Sequence, residues 1–388
     1  MDEFWQRMKH AESSLGQITR FDTAAYRTKI GGEIAVDIPA HFDLNIRGSS
    51  RVAQFAIVAA REALAQAQMT EWQAGLERCG ICLGSGLGGL YFSEESITAL
   101  HRVGPRGVSP MEVPFVDPNG IVSQVAIRWG MRGPQLTIST ACSSSAHAIG
   151  HALDMIRAGR CEAVLAGGAE ATMSPLIFAG FDRIRAMSAR NDDAATACRP
   201  FSDDRDGFVM SEGAAMLMLE SESHARARGA PILAELKGYG ASGGAFNAVS
   251  PRPDGADLLA SMRLALDDAG VRPQDIDLIN PHGTGTQLND EAEERALRMV
   301  FGERLAAVPL TPIKQLTGHM LGAAAALESV HVVKSIAESF VTPVRRHQSA
   351  SPLTILQERG REMALGNVLN NSFGFGNNNA SLVFGAYQ

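Results

Sequence analysis

Residues 139–156 read STACSSSAHAIGHALDMI, and residues 312–330 read PIKQLTGHMLGAAAALESV. In both, a strand-like lead meets small residues and a helix begins. After the first, Ile149, Ala152, Leu153 and Ile156 follow the i, i+3, i+4, i+7 spacing of one buried helical face. A second pair echoes in the same way: DGFVMSEGAAMLML (206–219) and SFGFGNNNASLVF (372–384) are glycine-rich aromatic turns entering a final strand. The repetition predicts a duplicated α/β unit. The halves join near Ser221–Gly229 (SESHARARG), a polar helical end followed by Pro231, which divides the chain into residues 1–227 and 228–388.

Outward from these stretches, short apolar runs recur beside glycine-rich turns: GICL (80–83), QLTIS (135–139), AVLA (163–166), AAMLML (214–219), DLIN (277–280) and SLVF (381–384). Helical patterns lie between them, including the alanine-rich VAQFAIVAAREALAQ (52–66). Such alternation favours layered sheets between helices. The 388 residues exceed a single small core, and 45% apolar with 20% charged residues is ordinary for a soluble globular chain. A net charge of −7 argues against nucleic acid as a main partner. No apolar run approaches the roughly 18 residues that cross a bilayer. The start, MDEFWQRMKH, has no signal-peptide character. Five cysteines at irregular spacing read as reduced thiols of a cytoplasmic enzyme.

Cys142 follows a β-type run and precedes small, helix-capping serines. There it faces the unpaired N–H groups and positive end of a helix, which predicts a lowered thiol pKa and a nucleophilic thiolate. A buried small hydrophobe is the competing reading. Two further stretches carry chemistry. In INPHGTGTQLNDEAE (279–293), His282 follows a strand and opens a loop whose Thr284 and Thr286 offer hydroxyls to a polar ligand. In TPIKQLTGHMLGAAA (311–325), Lys314 and His319 flank the start of an alanine-rich helix, a setting that keeps an imidazole neutral and able to donate. Singly, each is more often structural. Together they supply a thiolate to carry an acyl group and N–H donors for an enolate left when CO2 departs. The Gly-Phe-Gly turn 374–376 offers amides for an oxyanion, with Phe375 as a gate or as a core aromatic.

TACSSS, HGTGT, K-x3-GH and NSFGFG, in this order, resemble the elongating β-ketoacyl-acyl-carrier-protein synthases of the thiolase superfamily along the whole chain. The resemblance implies a thiolase-like, duplicated αβαβα five-layer architecture. It makes Cys142 the acylated nucleophile, His282 and His319 the groups that bind the malonyl thioester carbonyl, and Glu328 the ion-pair partner of Lys314. Cys142 and Phe375 amides would form the oxyanion hole, and Thr284 and Thr286 would hold a phosphopantetheine arm. Leu87, Glu112, Phe181 and Phe208 are the remaining substrate-binding positions it implies. The implied reaction is decarboxylative Claisen condensation with malonyl-acyl-carrier protein, in type II polyketide or fatty acid biosynthesis, as a homodimer or paired with a related chain-length-factor-like subunit. No cofactor or metal is implied, because the phosphopantetheine arrives on the carrier. Alternatives are a non-condensing, chain-length-factor-like partner and a malonyl-carrier decarboxylase.

Three departures stand out. The chain starts where the family's first helix falls, without the opening strand and glycine turn: either the gene start is misassigned or a central strand is lost, and the loss would put the stability of the isolated chain in question. Asn377 replaces a glycine of the GFGG turn, and asparagine tolerates left-handed backbone. Glu112 stands where fatty-acid enzymes tend to carry an aromatic, in a loop that in the family reaches across the dimer toward the partner's acyl pocket. A carboxylate is costly in an apolar tunnel unless paired, which argues against a plain long-chain fatty acid role, and HGTGTQLND and CSSS resemble polyketide or polyene ketosynthases more. Other signals are weaker. Gly84-x-Gly86-x-x-Gly89 is a lone dinucleotide-like match. Cys79-x-x-Cys82 has no second pair, and His147 and His151 lack a third metal ligand. Arg106, Arg183, Arg185 and Arg190 are candidates for a basic patch facing an acidic carrier protein.

Overall fold

The structure, a computed structural model, describes the chain except residues 47, 70–77, 346, 347, 350, 352, 357, 358 and 388. Two mixed sheets form its frame. The first is built from β1 (Cys79–Gly84), β2 (Gln135–Ile138), β3 (Ala163–Glu170) and β4 (Gly213–Glu220), in the order β2-β1-β3-β4. The second uses β5 (Glu235–Gly243), β6 (Leu278–Asn280), β7 (Pro309–Leu310), β8 (Thr354–Ile355), β9 (Asn367–Gly374) and β10 (Asn378–Gly385), in the order β8-β7-β6-β9-β10-β5. In each, parallel strands give way to an antiparallel end: β1 runs parallel to β2 and β3 while β4 opposes β3, and β6 runs parallel to β7 and β9 while β10 opposes β9. The stretches that echo in sequence therefore occupy equivalent places, since 206–219 enters β4 and 372–384 enters β10.

Between the sheets lie α1 (Ser144–Arg157) and α2 (Ala324–Glu338), the helices opened by the two quoted stretches. Ala146, Ile149 and Ala152 of α1 and Ala325, Val332 and Ile336 of α2 share one core with Cys82, Val164, Leu278, Val368 and Leu382 of both sheets. Small residues let the helices come close to the strands. A Cβ on Gly84 would fall 2.2 Å from the Ser145 amide nitrogen, so only glycine fits where β1 meets the start of α1. Outer helices complete five layers. Arg51–Gln66 and Asn119–Trp129 cover the first sheet, and Ala256–Ala269 and Gln287–Phe301 cover the second.

The halves differ at one edge. β10 is flanked by β5, whereas no strand among the described residues pairs with the outer side of β4. Met216–Glu220 of that strand line a groove together with Ala63 and Gln66, Val330 and Val333 of α2, and Pro231–Leu236. The chain begins with a helix, Asp2–Lys9, whose Trp5 packs against His331 and Phe340. None of the helices is long and apolar enough to cross a membrane, among the described residues.

Candidate active site

The chain leaves β2, passes Ala141 at φ 53°, and delivers Cys142 to the N-terminal end of α1. Cys142 is buried on one wall of a cavity of about 570 Å³ that His282, His319, Thr284, Thr286, Phe181, Phe208 and Phe375 also line. The amides of Phe375 and of Cys142 itself point at the sulfur. Burial pushes the Cys142 thiol up to about 12, opposed by the charge of Lys314 and by those two amides. This corrects the expectation from the helix end: enclosing the sulfur in protein costs the thiolate more than one helix terminus returns.

His282 sits where β6 ends. Its amide and that of Gly283 donate to the two carboxylate oxygens of Glu293, each at 2.8 Å, and its carbonyl accepts from Lys314 Nζ at 2.6 Å. Lys314 Nζ also stands 3.3 Å from His282 Nδ1. An ammonium at that distance would donate to Nδ1 and leave the ring proton on Nε2. Lys314, 1% exposed, forms a buried ion pair with Glu328. Burial pushes the Glu328 carboxyl up to about 7 against the pull of Lys314.

His319 follows the short helix Lys314–Thr317 and precedes α2. Its amide donates to Val209 O at 2.7 Å and its carbonyl accepts from Ser211 N at 3.0 Å. The ring meets that of His282 edge-on, centroids 5.3 Å apart, and that of Phe208 at 5.2 Å. Both imidazoles are held well below the ordinary histidine range, first by burial and then by the Lys314 charge. Two neutral N–H donors thus share one cavity with a thiol, as decarboxylation and condensation require.

Thr284 and Thr286 lie with hydroxyls 2.9 Å apart, and Thr286 Oγ1 also caps the helix Gln287–Phe301. Phe181 stacks on Phe375 at 6.2 Å and meets Phe208 edge-on at 5.7 Å. Two further expected positions do not line this cavity. Leu87 packs with Phe178, Phe181 and Phe208 rather than lining the cavity. Glu112 opens the short helix Glu112–Val116, accepts from Ser93 Oγ at 3.0 Å, and is likewise not among the residues lining the cavity of its own chain. Of the four arginines, Arg185 lines the cavity, while Arg190 is tied to Asp204 and Asp206.

The sequence reading missed the acids that hold this site. Asp290 accepts the amides of Thr284, Gly285 and Phe201, and with Glu293 it fixes the His282 loop. Their i, i+3 spacing in NDEAEE was the available signal. Glu170, at the end of β3, accepts from Ser85 Oγ and from the amides of Gly86, Leu87 and Gly322. Burial nonetheless pushes its carboxyl up to about 7. Nothing in the sequence distinguished it.

Comparison with known proteins identifies the family. Residues 1–225 match the family described as beta-ketoacyl synthase, N-terminal domain, and residues 233–348 match its C-terminal domain. The chain is 38% identical over 389 residues to 3-oxoacyl-[acyl-carrier-protein] synthase 2 of Staphylococcus aureus, covering 99% of this chain and 94% of that one. Among solved structures it is similar to a type II polyketide ketosynthase bound to a hexaketide, in complex with its acyl-carrier protein (TM-score 0.92, 29% identity, 100% and 95% of the two chains). It is also similar to the ishigamide ketosynthase/chain length factor (TM-score 0.92, 32% identity, 100% and 95%).

Proposed function

The chain belongs to the beta-ketoacyl synthase family, and from that premise we propose that Cys142, His282 and His319 carry out its condensing reaction on acyl-carrier-protein substrates. The activity is that of an acyltransferase in fatty acid or polyketide biosynthesis. In the first half, the Cys142 sulfur attacks the thioester carbonyl of an acyl group brought on the carrier's phosphopantetheine. The Cys142 and Phe375 amides stabilise the oxyanion, and the carrier thiol leaves with the proton.

In the second half, malonyl-carrier binds with its thioester carbonyl between His282 and His319. The bond to the carboxylate breaks, CO2 leaves, and its electron pair becomes an enolate held by the two neutral N–H groups. The enolate carbon attacks the acyl carbonyl on Cys142, and collapse of the tetrahedral adduct expels the Cys142 thiolate. The product is a β-ketoacyl group on the carrier. Thr284 and Thr286 are assigned to the pantetheine amides, and Arg185 to the carrier's acidic face. A second copy or a related subunit is assigned to the side of the first sheet that β2 ends.

One observation carries this reading: Lys314 Nζ stands 3.3 Å from His282 Nδ1, which leaves Nε2 free to carry the ring proton, and a second imidazole and a thiol line the same cavity. The test is the intact mass of the protein after incubation with an acyl-carrier thioester. Acylation that disappears in Cys142→Ala is expected. A folded parent that takes no acyl group, alone or co-expressed with a related subunit, would sink the condensing role and favour that of a structural partner.

A further inference from the structure

Beside the catalytic cavity, the turn that carries Phe375 meets the loop 244–250 that follows β5. The loop is largely exposed: Phe246 is 52% and Val249 50% exposed. Its attachment to the turn runs almost wholly through Asn377, which is 3% exposed. Asn377 Oδ1 accepts the amides of Phe246 and Asn247, both at 3.0 Å, and Nδ2 donates to Ser250 O at 2.8 Å. Its carbonyl accepts Gly244 N at 3.0 Å, and the neighbouring Gly376 amide donates to Ala248 O at 2.8 Å. Asn377 holds φ at 56°, a left-handed conformation in which asparagine is the most tolerated residue after glycine. Val249, Ser250 and Pro251 line the cavity together with Gly374, Phe375 and Asn377.

We propose that Asn377 is a positioning residue for the condensation, fastening loop 244–250 to the Phe375 turn so that the two move as one unit. Three hydrogen bonds from one buried amide side chain leave the loop no separate way to open. Phe375 supplies an amide aimed at Cys142 and a ring stacked on Phe181, so the same fastening sets the oxyanion donor and the entrance together. A glycine at this position would keep the turn and release the loop. The kinetic half of the inference rests on the condensing role proposed above; the structural half does not.

The experiment compares the parent with Asn377→Gly, which tolerates the backbone angle and removes only the side-chain bonds, and with Asn377→Asp, which keeps the acceptor and loses the donor. Hydrogen exchange of the amides and steady-state condensation are both measured. In Asn377→Gly, residues 244–250 and 374–377 should lose protection together, and kcat should fall about tenfold with KM within about twofold. Asn377→Asp should keep protection at Phe246 and Asn247 and fall between the two. Should the glycine variant fail to fold, the aspartate variant is read against the parent by the same criteria. Parent-like exchange at 244–250 in the variant, or a loosened loop with unchanged kcat, overturns the proposal. A parent that never acylates Cys142 removes the condensing role but leaves the exchange result to judge the fastening alone.

Discussion

Glu170, at the end of β3 in the first half, accepts the amide of Gly322, just ahead of α2 in the second half, at 3.0 Å. The same carboxylate accepts Gly86 N at 2.7 Å and Leu87 N at 3.0 Å. One buried acid therefore joins the two halves, reaching Gly322 beside Leu321 of the cavity wall. Glu170→Ala would strand these amides and Ser85 Oγ without an acceptor, and a loss of about 3–5 kcal/mol in urea unfolding is expected. A loss below about 1 kcal/mol would mean that water replaces the carboxylate and that the junction is not a structural necessity.

Lys314→Met should separate the two half-reactions. It removes the donor that fixes the His282 ring proton and leaves Glu328 buried without its partner. Condensation should drop by roughly 10²-fold or more, while acyl transfer to Cys142 persists in protein that remains folded. Equal loss of both steps would assign Lys314 to the integrity of the whole cavity.

His282→Ala and His319→Ala should each slow decarboxylation of malonyl-carrier by roughly 10²–10³-fold, the cost of removing one of two donors to a developing oxyanion. Released CO2 is the direct readout. A variant that decarboxylates at the parent rate shows that its imidazole does not touch the enolate.

Because burial pushes the Cys142 thiol up to about 12, the reactive thiolate is a minor form at neutral pH and grows as pH rises. Iodoacetamide should therefore alkylate Cys142 about tenfold faster per pH unit from pH 7 to 9, followed by intact mass. A rate that levels off below pH 8 would show the helix terminus and Lys314 outweighing burial.

Leu136, 44% exposed on the end strand β2, and Ile127, 80% exposed on the adjoining helix, leave apolar surface at one side of the first sheet. Leu136→Lys should halve the solution mass measured by light scattering, since a charge on an edge strand opposes pairing. An unchanged mass moves the subunit contact elsewhere.

Much of this could be read from local sequence because the proposed site residues sit where elements begin. Cys142, His282 and His319 each follow a strand or a glycine and precede a helix, and such positions have local signatures. The helix 52–66 and the paired final strands were equally legible. β5, with the sequence ELKGYGASG, was not, because its glycines admit the helix Ala256–Ala269 at close range and leave no apolar alternation. Glu170 looks like a solvated acid in sequence, Asp290 and Glu293 offer no more than their spacing, and only the folded loops supply the amides that bury them. The thiol pKa and the surroundings of Leu87 and Glu112 likewise depend on enclosure by distant segments.

The outer edge of β4, which no strand among the described residues pairs, has a consequence for how the molecule behaves in a crowd. A bare row of strand amides and carbonyls ordinarily recruits the rim of another sheet and seeds aggregates. Here residues of that strand share a groove with Ala63, Gln66, Pro231–Leu236, Val330 and Val333. A second sheet would have to displace those side chains before pairing, so sheet-to-sheet growth should be slower here than at a flat, open strand.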